Sequence, residues 1–292
     1  MRCLPKERFN PLNDYLFLKI MGEKGDEEQL LAFLNAVLAD SCQKPIKLVK
    51  ILDNRVITPE ILGNKTSILD IHALTDENDK TEIEVQLKDL HNMEKRTLLY
   101  WAREYAEAIS AGGDYIDLPR VITINIVNYD NIKLDRFHTT FHIREDIEKE
   151  YILTDVLEIH FLNMVKFRKM KNIDIKNNAL CRWLTYFDEK TPESELMEVI
   201  NMDTAIQKAN ERLNFVTQDK DFLRNYHRRI MEECDRITEW NTAIERGMEK
   251  GMEKGSNAKS FDIAKNAISE GLSMDIIQRI TGLKAEDIIA LQ

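Results

Sequence analysis

The order of strand-like and helix-like segments between residues 46 and 129 constrains the fold more than any other feature. Four short segments rich in β-branched residues are separated by turn-forming residues: IKLVKILDNRVI (46–57), SILDIHAL (67–74), TEIEVQL (81–87) and PRVITINIVNY (119–129). Residues 90–110, between the third and fourth segments, contain neither glycine nor proline and are rich in helix formers. Because the fourth segment is apolar on both faces, this pattern predicts a helical crossover to a buried strand.

Helical patterns lie on both sides of this region. Residues 10–39 have apolar side chains at helical spacing, with a break at Gly22–Gly25 and with Asn13 or Asp14 available as a cap. Two more strand-like pieces, RFHTTFHI and TDVLEIHFL, extend the sheet to about residue 165, and helices are predicted over 177–187, 192–213 and 219–245. We therefore predict an α/β (α+β) protein, with a mixed central sheet flanked by helices and a helical C-terminal region.

The C-terminal part contains an internal repeat, 247-GMEKGMEKG-255, followed by a helical tail. Glycine at every fourth position weakens a helix by about 1 kcal/mol each, so the repeat predicts either a solvated linking helix or a smooth stripe for close packing in an oligomer. The tail, 258–291, has a net charge of −1 (four basic and five acidic residues) and suggests a helix-turn-helix that binds a partner before it reads DNA. The predicted divisions are a core (1–165), a helical region (166–246), the repeat (247–256) and the tail (257–292).

Composition limits the classes of function. The net charge of −10 (41 basic and 51 acidic residues) argues against a protein that coats nucleic acid through bulk charge, but not against an enzyme with a local basic face and bridging metal ions. Four scattered cysteines without a CxxC pair predict free thiols and a cytoplasmic location. No segment approaches the roughly 18 apolar residues of a membrane span, and no secretory signal is expected at the N-terminus.

Two carboxylates on neighbouring predicted strands form the main candidate site. Asp70 stands in an apolar run, where a lone carboxylate is costly to bury unless it is paired or binds a cation. Antiparallel pairing of its strand with TEIEVQLK would bring Asp70 close to Glu84, and Gln86 would share the face of Glu84. Such carboxylates repel each other, and Mg²⁺, which is typically bound by one or two carboxylates, relieves the repulsion. Glu82 is interpreted as a solvated strand residue.

Several segments in order resemble a known family: NPLNDYLFLKIMG, SILDIHA, IEVQ and RTLLYWAREYAEAISAGGDYIDLPRVITINIVNY. They are similar to the Rpn family of recombination-promoting nucleases and transposases, a branch of the PD-(D/E)XK nucleases. The resemblance covers most of the chain, and the LDI/IEVQ pair and the RTLLYWAREYA…GGDY block are its most specific parts. It implies a metal-dependent DNA endonuclease associated with recombination or mobile elements, with Mg²⁺ as cofactor and Mn²⁺ or Ca²⁺ as alternatives.

The resemblance also implies roles for individual residues. Asp70 and Glu84 match the metal-binding carboxylates, and Asp14 matches an acidic position that completes the metal shell. Gln86 takes the place that lysine holds in most of the superfamily, where it would position the nucleophile. Three residues match recurring family positions and are expected to contact nucleic acid: Arg96, Tyr100 and Tyr115. Lys88 is added to them because strand alternation would place it on the face of Gln86.

An alternative interpretation starts from the same residues. A neutral amide at Gln86 cannot lower the pKa of a water by charge, and the acidic composition does not favour DNA. Both features suit a catalytically weak or inactive nuclease fold that acts as a DNA-binding or protein-binding module. The helical C-terminal region is predicted to support a homo-oligomer, and no membrane partner is expected.

Overall fold

The computed structural model describes residues 8–52, 71–109 and 113–291. Its contacts divide the chain into two compact units, one up to Leu223 and one from Arg224 onward. The first unit contains the sheet and the candidate site.

The described residues of the first unit form a mixed six-stranded sheet in the order β1-β2-β3-β4-β6-β5. The strands are β1 (Val49–Ile51), β2 (Ile71–Thr75), β3 (Lys80–Gln86), β4 (Val121–Val127), β5 (His138–Phe141) and β6 (Leu157–Asn163). The three central strands β3, β4 and β6 are parallel, whereas β1, β2 and β5 pair antiparallel with their neighbours. All seven residues of β4 are buried, as expected for a central parallel strand. The predicted mixed sheet and its crossover are confirmed.

Helices flank this sheet. They are α1 (Asp14–Met21), α2 (Glu28–Val37), α3 (Met93–Ala106), α4 (Met164–Arg168), α5 (Ala179–Phe187), α6 (Glu193–Met202) and α7 (Thr204–Val216). The Asn13 side chain caps α1 by accepting a hydrogen bond from the backbone N–H of Leu16, at 3.2 Å. The prediction of one helix over 192–213 is wrong, because Asp203 interrupts it. Its carboxylate accepts from the backbone of Ala205 and begins α7.

Pairing between β2 and β3 determines which residues face each other near the candidate site. Ile71 lies opposite Ile83, and His72 lies opposite Glu82. On the other side of β3, Glu84 is in register with Asn125 of β4. Helix α3 connects β3 to β4 and contacts β4 through a hydrogen bond between the Thr97 and Thr123 hydroxyls at 3.2 Å. Consequently, α3 covers the face that carries Glu82, Glu84 and Gln86.

The second unit is helical. Helix α8 (Lys220–Ser269) extends through it and includes the whole GMEK repeat, and α9 (Met274–Thr281) and α10 (Ala285–Ile289) follow. A small apolar cluster joins the end of α8 to these two helices: Ala264, Ala267, Ile277 and Ile288. Gly271 and Gly282 adopt left-handed φ angles of +73° and +72° where the chain turns between helices, which glycine does without steric cost. The predicted helical tail is confirmed.

Candidate active site

Glu84 is a buried carboxylate in the middle of the central sheet. Its residue is 3% exposed, and no described group donates a hydrogen bond to either of its carboxylate oxygens. Its charge partner is Arg96, whose Nη2 lies 2.5 Å from Glu84 Oε1 as an ion pair without aligned hydrogen-bond geometry. Burial raises the pKa of Glu84, and the positive charge of Arg96 opposes that rise. A buried carboxylate with an oxygen that accepts no hydrogen bond is suited to binding a cation.

Arg96 connects the residues of this site. It lies in the first turn of α3, and the crossover from β3 places that turn over the C-terminal half of the strand. Nη1 donates to Gln86 Oε1 at 3.2 Å, and Nε donates to the Tyr100 hydroxyl at 2.9 Å. The guanidinium also lies 5.2 Å from the centre of the Tyr100 ring. Since the Arg96 side chain is 24% exposed, the cluster lies near the surface at one edge only.

Gln86 is the last residue of β3, and its amide is hydrogen-bonded on both sides. Its oxygen accepts from Arg96, and its Nε2 donates to the backbone carbonyl of Lys88 at 3.0 Å. Because the strand ends at Gln86, Lys88 is not a strand residue, so the alternation that placed it on the face of Gln86 does not reach it. Lys88 is half-buried in the segment between β3 and α3.

The other predicted site residues occupy different positions. Asp70 lies outside the described residues, and it directly precedes Ile71, the first residue of β2. Asp14 is the first residue of α1, where its Oδ1 accepts from the backbone N–H of Tyr15 at 2.7 Å. Tyr100 is buried beneath Arg96, whereas Tyr115 is 82% exposed in a short 3₁₀ turn (Tyr115–Asp117).

Glu82 contradicts its interpretation as a solvated residue, because it is 4% exposed. The reason is helix α3, which covers this face of the sheet and places Glu104 beside the strand. The carboxylate of Glu104 lies 3.5 Å from His72 Nδ1 and 3.9 Å from Lys80 Nζ. Polar alternation in a strand is typical of a solvent-exposed face, but here Lys80, Glu84 and Gln86 lie beneath α3 and pair with residues of that helix.

Tyr129 is a residue near the site that sequence reasoning missed. It follows β4 by two residues, and its hydroxyl is buried without a hydrogen-bond partner among the described residues. Burial raises the pKa of this hydroxyl, and the negative charges of Asp89 and Glu84 raise it further. The register of β3 with β4, which places Val127 beside Gln86, is the signal that could have pointed to it.

A second polar cluster lies at the β5–β6 end of the sheet. His160 Nε2 is 2.6 Å from Glu158 Oε1, and His160 Nδ1 is 2.8 Å from His138 Nε2. Burial opposes ionisation of Glu158, but hydrogen bonds from His160, Ser41 and Arg120 outweigh it and lower the pKa of Glu158 to about 2. Burial, and then the neighbouring His160, lower the pKa of His138 to about 4. An ionised Glu158 therefore accepts a hydrogen bond from His160, and a further hydrogen bond joins the other ring nitrogen of His160 to His138.

Comparison with known proteins places the chain in a family. The model of the PD-(D/E)XK nuclease family transposases matches residues 11–243. The chain therefore belongs to this family, which confirms the resemblance and supports a nuclease-like or transposase-like role. Neither a curated protein nor a solved structure matches the chain.

The residues present can be compared with what a divalent cation requires. Within residues 8–52, 71–109 and 113–291, no group of three or more His, Cys, Asp or Glu side chains is arranged to bind a metal ion. Glu84 offers the buried carboxylate oxygens described above, and Asp70 lies outside the described residues. The donor chemistry of Glu84 fits Mg²⁺, which typically uses one or two carboxylates and keeps several waters. None of the helices in the described part of the chain is long and apolar enough to span a membrane.

Proposed function

We propose that the protein is a metal-dependent DNA endonuclease, associated with recombination or mobile elements, that hydrolyses phosphodiester bonds. The observation that carries the proposal is the buried Glu84 carboxylate, whose oxygens accept no hydrogen bond from the described residues. A cation stabilises the ionised form of such a group, and the Arg96 guanidinium already lies 2.5 Å from Glu84 Oε1. Membership of the PD-(D/E)XK nuclease family transposases supports the choice of DNA as substrate.

Asp70 and Glu84 are the proposed metal ligands, with Mg²⁺ preferred over Mn²⁺ or Ca²⁺. Asp70 is proposed as a ligand because it directly precedes Ile71 in the sequence. Ile71 pairs with Ile83, which is the neighbour of Glu84 on β3. Asp14 is a weaker candidate, because its Oδ1 already accepts from Tyr15. When bound, the cation supplies a lowered pKa for a coordinated water and stabilises charge on the scissile phosphate.

The residues of the chain have separate proposed tasks around this pair. Arg96 favours the ionised form of Glu84 and fixes the amide of Gln86, so it acts as a positioning residue as well as a candidate phosphate contact. Gln86 is proposed to orient the attacking water through a hydrogen bond. The charge that lysine supplies in most of the superfamily is present here as the Arg96 guanidinium, 3.2 Å from the Gln86 oxygen. Tyr100 holds the guanidinium of Arg96 in place by accepting a hydrogen bond at its hydroxyl and by packing its ring against the guanidinium.

A second candidate function follows from the state of Gln86. Both ends of its amide are hydrogen-bonded within the chain, to Arg96 and to the backbone of Lys88. The remaining lone pair and N–H of the amide can still orient a water, but a neutral amide cannot lower the pKa of that water by charge. The lack of charge at Gln86 favours the alternative in which the fold binds DNA or a protein partner with little or no hydrolysis.

Cleavage of supercoiled plasmid distinguishes the two candidates. Wild-type protein with Mg²⁺ should convert the plasmid to nicked or linear forms, and the reaction should stop in excess EDTA. Asp70→Ala and Glu84→Ala should each abolish cleavage, whereas Arg103→Met, a surface change on the same helix as Arg96, should not. Equal cutting by wild type and by the Asp70→Ala/Glu84→Ala double variant would exclude this site. Plasmid retardation on a gel without cutting would support the binding module.

A further inference from the structure

Helix α8 exposes apolar side chains at regular intervals. Ile230, Ile237 and Ile244 follow one another by seven residues, and their exposed fractions are 37%, 36% and 40%. Another exposed residue stands four positions after each of them, so the steps alternate between four and three. We name this set the α8 seam: Ile230, Cys234, Ile237, Asn241, Ile244 and Met248.

The spacing of the α8 seam identifies the kind of surface that would cover it. An average step of 3.5 residues keeps a narrow stripe facing one partner helix that supercoils with it. A helix lying on a globular core normally has a wider apolar face. No seam residue belongs to the apolar cluster formed by the described end of α8 with α9 and α10. Since helices gain most of their stability from packing an apolar face, the seam calls for a second helix.

Asn241 indicates which helix that is. An amide in the middle of an apolar seam is costly to bury unless its donors and its acceptor are satisfied. Two copies of Asn241 facing each other across a twofold axis satisfy one another, whereas an apolar residue opposite Asn241 would leave the amide unpaired. A polar residue at such a position specifies a single register in parallel coiled coils.

The seam also has a defined end. The next two positions in the same alternation, after Met248, are Gly251 and Gly255 of the GMEK repeat. Glycine has no side chain to insert between the residues of a partner helix, and no described atom lies within 4 Å of a Cβ placed at either position. The apolar contact would therefore be confined to residues 230–248.

We propose that α8 pairs with α8 of a second copy of this chain, as a parallel, in-register, two-stranded coiled coil over residues 230–248. The pairing does not depend on phosphodiester hydrolysis, so its failure would leave the proposed function untouched. In this arrangement, Cys234 and Asn241 each face their own counterpart. An antiparallel pair would place Cys234 opposite a different residue.

Two measurements on the full chain test the proposal. Sedimentation velocity should show a dimer, and the thiol oxidant diamide should produce a covalent dimer that Cys234→Ser prevents. Ile237→Asp should yield a monomer, because it places a charge in the seam. The matched control is Ala243→Asp on an exposed position of α8 outside the seam, which should leave the dimer intact. Circular dichroism should show that both Asp variants remain folded.

Each remaining outcome counts against the proposal. A wild-type chain that stays monomeric at every concentration overturns the pairing. A dimer that diamide does not cross-link through Cys234 overturns the parallel register, and this test requires no destabilising variant. A dimer that survives Ile237→Asp, with helix content unchanged, overturns the seam as the contact surface.

Discussion

Replacing Arg96 with methionine should leave a buried charge without its partner. Met retains most of the apolar stem of Arg96 but removes the guanidinium that lies 2.5 Å from Glu84 Oε1. Glu84 is almost fully buried, and breaking a buried ion pair from one side costs about 3–5 kcal/mol. Because the Arg96 side chain is partly exposed and water can enter at that edge, we expect the low end, about 3 kcal/mol. For a unit of this size, that corresponds to a Tm lowered by about 6–12 °C.

The matched control for this prediction is Arg103→Met on the same helix. Arg103 pairs with Glu107 at 2.9 Å, one turn further along the chain, where the two side chains are 28% and 36% exposed. Surface pairs of this type contribute less than about 1 kcal/mol, so Arg103→Met should be nearly neutral. Urea denaturation in EDTA measures both variants without a bound metal.

A double-mutant cycle separates the ion pair from the other contacts of Arg96. In a Glu84→Gln background the buried charge is absent, so Arg96→Met should lose the hydrogen bonds to Gln86 and Tyr100, about 1 kcal/mol each, but not the ion pair. The cost should therefore be clearly smaller than in the wild type. An equal cost in both backgrounds, or a cost no greater than that of Arg103→Met, would refute the argument.

Three further predictions concern the rest of the first unit. Between pH 6.5 and about 4, the folded protein should bind fewer protons at His138 than the unfolded chain does. Stability should therefore fall as the pH decreases through that range, and it should fall less in His138→Gln. Measurement of Tm against pH follows both proteins. Gln86→Lys should lower stability by about 1 kcal/mol or more, because it breaks the hydrogen bond from Arg96 and adds a like charge. Thermal denaturation should then show a smaller cost of Arg96→Met in the Gln86→Lys background than in the wild type. Asp203→Ala should lower the free energy of unfolding by about 1 kcal/mol through loss of the α7 cap, whereas Asp203→Asn should retain most of that stability. Urea denaturation measures both variants, and an equal loss in both would contradict the capping role.

The succession of strands and helices along the chain, with the crossover, was predictable because it depends on local patterns. Runs of β-branched residues, a helical segment without glycine or proline, and an apolar fourth segment were sufficient to predict β3, α3 and a buried β4. The position of Glu84 on a central strand next to β2 followed from the same patterns.

Features that depend on distant packing were not predictable in this way. Glu82 is buried because α3 folds back over its strand, and nothing in the alternation of TEIEVQLK indicates that cover. Arg96 reaches Glu84, Gln86 and Tyr100 because its side chain is long and the first turn of α3 lies above the end of β3. The spacing of residues in the sequence does not give the distance between that turn and the strand. The break at Asp203 was hidden because the residues on both sides continue a helical pattern.

Calorimetric titration of purified protein with Mn²⁺ tests most directly whether Glu84 is a metal-binding carboxylate. We expect the wild type to give a Mn²⁺-binding isotherm. Binding should be lost in Glu84→Ala and in Asp70→Ala and should be unchanged in Arg103→Met. Unchanged binding in Glu84→Ala, or no binding by the folded wild-type chain at millimolar metal, would contradict this expectation.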